Sequence, residues 1–375
     1  MTAMHTQPDP VRRTLLEALA AAGALALLAG CRSPVKTMTA QTPTPTPTLP
    51  NLPAFTAAGP TLRVVAPSGL MPSAARAERG VLRLARAGYQ LSNTQCLARR
   101  YQRFAGTDAE RAADFNDIRA GDVPKFILAA RGGYGAMRLL PWINWQRLCP
   151  LLKEAGTLVM GFSDFTAIQM GLLSQGGVVS FAGPMLYSDF GAEAPSVLTM
   201  SDFVSTTTAR PLAIRVEAPF SPTLKAEGVL WGGNLTVLAH LAGTPYLPKI
   251  DGGILFIEDV GEQPYRVERM LQQLNLAGVL SRQKAIVFGD FDQTNIRDYY
   301  DSSYTLATVA SHVGRVTGVP VLTGFPFGHT SNKATFPLGA HASLTSDGAG
   351  YRVTFPDYPT YPLAGLNTAA LTELM

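Results

Sequence analysis

Ser163, Glu258 and His329 are three residues of the kinds that together cleave amides, and each lies just past the carboxyl end of an apolar run. Ser163 stands in Gly161-Phe162-Ser163-Asp164. Thr157-Leu158-Val159-Met160 before it reads as a buried strand, and Phe165–Leu173 after it repeats apolar residues at helical spacing. A serine at a sharp strand-to-helix junction is held out of the sheet at the positive end of a helix dipole. Free backbone N–H groups there can hold an oxyanion. Taken alone, the same serine is an ordinary N-cap. Glu258 ends the strand Gly253–Ile257 and precedes a helix from Pro264, with Glu262 as a competing carboxylate. His329 follows the strand-like Val319–Phe325 in Gly328-His329-Thr330. Open α/β sheets place their sites at such strand ends, and Ser…Glu…His is one of several chain orders that build a catalytic triad.

Arg131-Gly132-Gly133-Tyr134-Gly135 follows another strand, Phe126–Ala130, and is expected to open a helix from Ala136. A dinucleotide loop is excluded because Arg138 stands where the third glycine is needed. Glycines here let backbone N–H groups approach a substrate oxygen, although a plain tight turn would use them too. The oxyanion hole is assigned to the N–H groups of Asp164 and Gly133, with Gly132 the alternative. Arg131 presents a guanidinium fork that suits a substrate carboxylate, or is a surface cation. His240, His312 and His341 fall within predicted helices or strands and read as structural. No H-x-x-x-H or C-x-x-C spacing occurs, so neither a metal nor another cofactor is expected.

These residues need a scaffold of alternating strands and helices. Leu62–Ala66, a helix near Ser73–Ala87, Phe126–Ala130 and the Ser163 strand and helix predict a parallel sheet covered by helices. This N-terminal α/β domain is expected over residues 61–208, with a crossing segment at Leu212–Val216. A C-terminal domain of mixed helices and strands, residues 209–375, ends in a hairpin around Asp347-Gly348. Ser163 then lies in one domain and Glu258 and His329 in the other, so the site would assemble across a cleft. The formal charge of +4 over 375 residues is too mild and dispersed for a nucleic-acid partner.

The first 30 residues read as a secretory leader: Arg12-Arg13, an apolar stretch from Ala18 to Ala29 too short to span a bilayer, then Leu28-Ala29-Gly30-Cys31. That ending resembles a bacterial lipobox, with lipid attachment at Cys31 and acyl chains as the membrane anchor. Residues 31–60, rich in Thr-Pro, read as an extended tether. The expected location is the periplasmic face of a bacterial membrane. Cys96 and Cys149 are free to pair in such a compartment, but their spacing does not require it.

Several blocks in order resemble the LD-carboxypeptidase (muramoyltetrapeptide carboxypeptidase) family of serine peptidases. They are Arg131–Gly135 with Arg138-Leu139-Leu140, Gly161–Asp164, Trp231-Gly232-Gly233-Asn234-Leu235 with Gly243–Tyr246, Glu258–Glu262 with Tyr265-Arg266, and Gly328-His329 with Pro337-Leu338-Gly339. The resemblance implies a Rossmann- or flavodoxin-like first domain and a swivelling mixed β/α barrel second. It makes Ser163 the nucleophile, His329 the base and Glu258 its orienting carboxylate, and adds Asn234 to Arg131 as a candidate substrate contact. The implied substrates are peptidoglycan tetrapeptides. A family branch that hydrolyses peptide–nucleotide antibiotics and a non-enzymatic solute-binding lipoprotein are the alternatives, and homodimerisation stays open. Two departures stand out: Asn144 occupies a position expected to be acidic, and cytoplasmic members lack the N-terminal extension.

Overall fold

A computed structural model describes residues 59–219, 221–362 and 364–375. The leader, Cys31 and nearly all of the expected tether lie outside the described residues. Gly59 and Pro60 are already buried, and their carbonyls accept from the Gln90 side chain and backbone, so the packed body begins within the span expected as tether.

The strands, in chain order, are β1 (Thr61–Val65), β2 (Gln90–Ser92), β3 (Phe126–Ala129), β4 (Leu158–Gly161), β5 (Ser180–Ala182), β6 (Leu212–Glu217), β7 (Leu224–Asn234), β8 (Ile254–Glu258), β9 (Ala285–Phe288), β10 (Val321–Leu322), β11 (Phe336–Leu338), β12 (Ala340–Ser346) and β13 (Gly350–Phe355). The helices are α1 (Ala74–Arg86), α2 (Asp108–Asn116), α3 (Trp145–Ala155), α4 (Thr166–Gly176), α5 (Val197–Thr208), α6 (Leu235–Leu241), α7 (Pro264–Leu276) and α8 (Leu306–Thr317).

The first sheet runs β2-β1-β3-β4-β5 in parallel, the flavodoxin-like order. Its central strands β3 and β4 are buried at every residue, as their unbroken apolar runs require when helices cover both faces. The second sheet, ordered β10-β9-β8-β7-β12-β13-β6, is mixed and curls into a half-barrel. β7 to β10 are parallel, and the β7–β12, β12–β13 and β13–β6 pairs are antiparallel.

Residues Phe336–Leu338, expected in the second domain, instead add an antiparallel edge to the first sheet beside β5. Phe336 explains the crossing. Its ring packs against Phe256, Phe325 and Phe327, with centroids 5.0, 4.9 and 5.2 Å away. Edge-on aromatic packing of this kind adds stability beyond area alone. The cluster ties the two sheets together, and its Phe327 packs on Phe162, the neighbour of Ser163, at 5.6 Å between centroids.

Local differences from the sequence expectations have identifiable causes. Ala136 opens only a short 3-10 turn, Ala136–Leu139. Pro141 has no N–H to give the Met137 carbonyl, so the chain closes with i→i+3 bonds, Trp142 to Leu139 among them. Leu212–Val216 is an edge strand paired with β13 rather than a bare crossing. The Val319–Phe325 strand shrinks to Val321–Leu322, bounded by Pro320 and by Gly324 at φ +79°. Asn144 caps α3 by accepting from the Arg147 N–H at 3.1 Å, a task Asn performs as well as Asp.

Candidate active site

Four chain segments meet at the carboxyl ends of the two sheets. β4 stops at Gly161, Phe162 is extended, and Ser163 turns sharply with φ +62° before a 3-10 turn leads into α4. Serine occupies this left-handed region only when its surroundings force it, so the turn is a strained elbow. Asp164 braces it from behind. Its buried Oδ2 accepts from Ser68 Oγ at 2.7 Å, beyond β1, and from the Ala136 N–H at 2.9 Å, beyond the glycine loop. Burial raises the Asp164 pKa above its ordinary value, although the Ala136 and Ser68 hydrogen bonds pull it down. Gly132 lies against the elbow: a Cβ there would sit 2.8 Å from both Ser163 Cβ and Oγ. Gly133 is exposed on the wall of the same cavity.

His329 bridges the two halves. Its Nε2 is 2.9 Å from Ser163 Oγ, and its Nδ1 is 2.8 Å from Glu258 Oε2. Glu258 is 1% exposed, so its charge is barely screened. Burial disfavours the imidazolium, but the Glu258 hydrogen bond and charge, with Asp259, outweigh it and raise the His329 pKa; Lys333 acts in the opposite sense. Glu262 is turned away into an ion pair with Arg266.

Asn234 faces Glu258 rather than the cavity. Its Nδ2 donates to Glu258 Oε1 at 3.3 Å and Asp259 Oδ1 at 3.1 Å, while its Oδ1 caps α6 through the Val237 N–H. Its own N–H donates to Thr166 Oγ1, on the first turn of α4, the helix that follows Ser163. Gly233, at φ +141°, makes that approach feasible, because a Cβ there would come within 2.7 Å of Thr166 Oγ1. The Trp-Gly-Gly-Asn run thus brings β7 onto α4 and steadies the glutamate.

A cavity of about 540 Å³ opens beside Ser163 and His329. Arg131 lines it, and so do Arg76 and Lys333. Lys333 is buried against Asp189, and its Nζ lies 5.3 Å from the Phe162 ring centroid.

Residues 62–183 match the family model of the LD-carboxypeptidase N-terminal domain, and residues 227–344 that of the C-terminal domain. The chain belongs to the LD-carboxypeptidase family. The probable murein peptide carboxypeptidase of Bacillus subtilis (strain 168) is 32% identical over 297 residues, covering 77% of this chain and 89% of that protein. The solved muramoyltetrapeptide carboxypeptidase from Oxalobacter formigenes is 40% identical with a TM-score of 0.72, covering 80% of this chain and 100% of its own. The microcin C7 self-immunity protein of Escherichia coli is 28% identical over 306 residues, covering 74% and 87%.

In this LD-carboxypeptidase fold the other sequence candidates stand apart from the site. His240 and His341 are exposed, and His312 contacts Gln272 and Arg315. Cys96 and Cys149 are unpaired and buried. Burial pushes the Cys149 thiol up to about 11 and the Cys96 thiol well above its ordinary value, so neither offers a thiolate at neutral pH. Sequence reasoning missed Ser68, Thr166, Arg76 and the Asp189–Lys333 pair. Ser68 alone had a usable signal, a small polar residue past the end of β1.

Proposed function

We propose that this protein is a serine-type LD-carboxypeptidase that removes the terminal D-alanine from murein tetrapeptides and leaves tripeptides. The observation that carries this reading is His329 held between Ser163 Oγ and buried Glu258. Glu258 accepts a hydrogen bond from His329 Nδ1–H, which fixes the tautomer and leaves the Nε2 lone pair facing the serine. His329 takes the Ser163 proton as Oγ attacks the carbonyl of the L-centre. The Asp164 N–H, with that of Gly133 or Gly132, stabilises the tetrahedral oxyanion. His329 then gives its proton to the leaving D-alanine amine, and water releases the acyl-enzyme by the same route. Arg131 serves the substrate carboxylate. Asn234 acts through Glu258.

The lipobox motif motivates a second part of the proposal: export, cleavage before Cys31 and lipid anchoring at the periplasmic face, with the Thr-Pro segment as spacer. Cys31→Ala should release the protein from the membrane fraction; a variant that stays there without acylation defeats the anchor.

Mass spectrometry of a tetrapeptide muropeptide incubated with the protein tests the activity. Loss of one D-alanine and arrest at tripeptide is expected, with the D-Ala–D-Ala bond of a pentapeptide intact. Cleavage of a peptide–nucleotide antibiotic instead would move the protein to the self-immunity branch, and binding without turnover would make it a solute carrier.

A further inference from the structure

Three cations line the cavity beside Ser163, and they are not alike. Lys333 is neutralised by Asp189. That carboxylate is fully engaged, since its other oxygen accepts from the Met185 N–H and from Ser188 Oγ. Arg76 and Arg131 have no carboxylate within 4.0 Å among the described residues. Yet both are fixed. Arg76 Nε and Nη2 donate to the carbonyls of Tyr187 and Ser188, each at 2.9 Å, and its guanidinium carbon lies 5.0 Å from the Tyr187 ring centroid. Arg131 Nη1 donates to the Leu70 carbonyl at 3.0 Å, and its guanidinium carbon is 6.0 Å from the same centroid. The Tyr187 N–H is tied in turn to the Ala130 carbonyl, next to Arg131.

Holding two like charges about one ring is unfavourable unless an anion joins them, and it also costs side-chain entropy. Arg76 Nη1 and Arg131 Nε and Nη2 make no hydrogen bond to described residues, so they remain for a ligand. Ordered guanidinium forks suit a carboxylate and discriminate against an amide, which would leave the charges unpaired.

We propose that Arg76 and Arg131, held around Tyr187, form a clamp for the C-terminal carboxylate of the peptide and so restrict cleavage to its last bond. This rests on the carboxypeptidase reading above, and its test reads binding rather than turnover. The probe is L-Ala-D-Glu-L-Lys-D-Ala titrated by calorimetry into the Ser163→Ala protein. Two analogues accompany it, one amidated at the C-terminus and one at the internal glutamate carboxylate. Terminal amidation should weaken binding on the order of 10- to 100-fold, and internal amidation should change it little. With Arg76→Gln and Arg131→Gln added, the terminal penalty should shrink to less than about 3-fold. Should those variants not fold, Arg76→Lys with Arg131→Lys keeps the charges without the forks and should give a smaller penalty than the parent.

An unchanged penalty in the folded variants, a penalty on internal amidation instead, or no binding of any peptide overturns the clamp. Wild-type protein that fails to release D-alanine while the clamp penalty holds would sink only the activity. Release with an unchanged penalty in the variants would sink only the clamp.

Discussion

The two halves of the site position their chemistry by different means. In the first, the backbone does it: Ser163 is forced to φ +62°, and its neighbour Asp164 holds the turn through Ser68 and the Ala136 N–H. In the second, side chains do it: Asn234 holds Glu258, and Glu258 holds His329. A serine that serves as the nucleophile, as proposed above, must stay exposed and cannot be packed on all sides, so strain in the chain aims it. A histidine that changes charge, as the proposed base must, needs a buried counter-charge, and the relay of hydrogen bonds from Asn234 through Glu258 supplies one. The two devices should therefore fail differently when broken.

The largest effects are expected at the groups proposed to exchange the proton. Ser163→Ala and His329→Ala should each lower kcat on the order of 10³-fold or more, and the double variant should add little, because the members act as a unit. Single-turnover hydrolysis of tetrapeptide measures this; near-normal turnover by folded Ser163→Ala would remove the serine mechanism. Glu258→Gln keeps the shape but not the charge, and should cost on the order of 10²-fold or more.

The relay should also show in the pH profile. His329 must be neutral to accept the Ser163 proton, so kcat/KM rises with pH through its pKa. That pKa is raised above its ordinary 6.5: burial lowers it, but Glu258 more than compensates. The acid limb of the wild-type profile should thus lie above 6.5, and Glu258→Gln should move it to lower pH. Stability runs the other way. A raised histidine pKa contributes stability that is full below the unfolded value and is lost as pH rises through the folded one. The pair is tightest in the form that cannot act as base. An acid limb that stays put in Glu258→Gln would assign the titration to another group.

A smaller effect separates the brace from the relay. Asp164→Ala removes the Oδ2 that accepts from both Ser68 Oγ and the Ala136 N–H, and leaves those buried donors unpaired. An unsatisfied buried donor costs about 1–3 kcal/mol. Thermal unfolding should show that loss with the acid limb unmoved, since Asp164 does not touch His329 in the way Glu258 does. A shifted limb would mean the two halves are electrostatically one.

Much of this arrangement was legible because it follows from local pattern. Apolar runs such as Leu158–Met160 and Ile254–Ile257, bounded by turn residues, read as buried strands, and the polar residue past each run is placed by topology. What escaped was non-local or hidden by glycine. Near its end β7 carries Gly232-Gly233, which weaken a strand signal, yet Gly233 allows the contact with Thr166. Phe336–Leu338 is too short to announce which sheet it joins. Lys333 and Asp189 lie 144 residues apart, and no spacing rule pairs them. Asn234 could be seen as part of a motif, but whether it faces substrate or Glu258 is decided by the register of β7 against β8.

The smallest prediction tests the strain itself. Ser163→Ala and Ser163→Gly both delete the proposed nucleophile, so neither should turn over substrate. They differ at the backbone. Alanine at φ +62° keeps the Cβ that makes left-handed geometry unfavourable by about 1–2 kcal/mol, whereas glycine does not. Glycine also widens the unfolded ensemble, which offsets roughly 0.4–1 kcal/mol of that gain. Ser163→Gly should therefore unfold in denaturant with stability about equal to, or up to about 1.6 kcal/mol above, that of Ser163→Ala. At an ordinary helix position the same exchange would destabilise by a similar amount, so the sign carries the information. A glycine variant clearly less stable than the alanine variant would mean that the elbow is relaxed, and that packing of Gly132 and Asp164, not strain, is what aims Ser163.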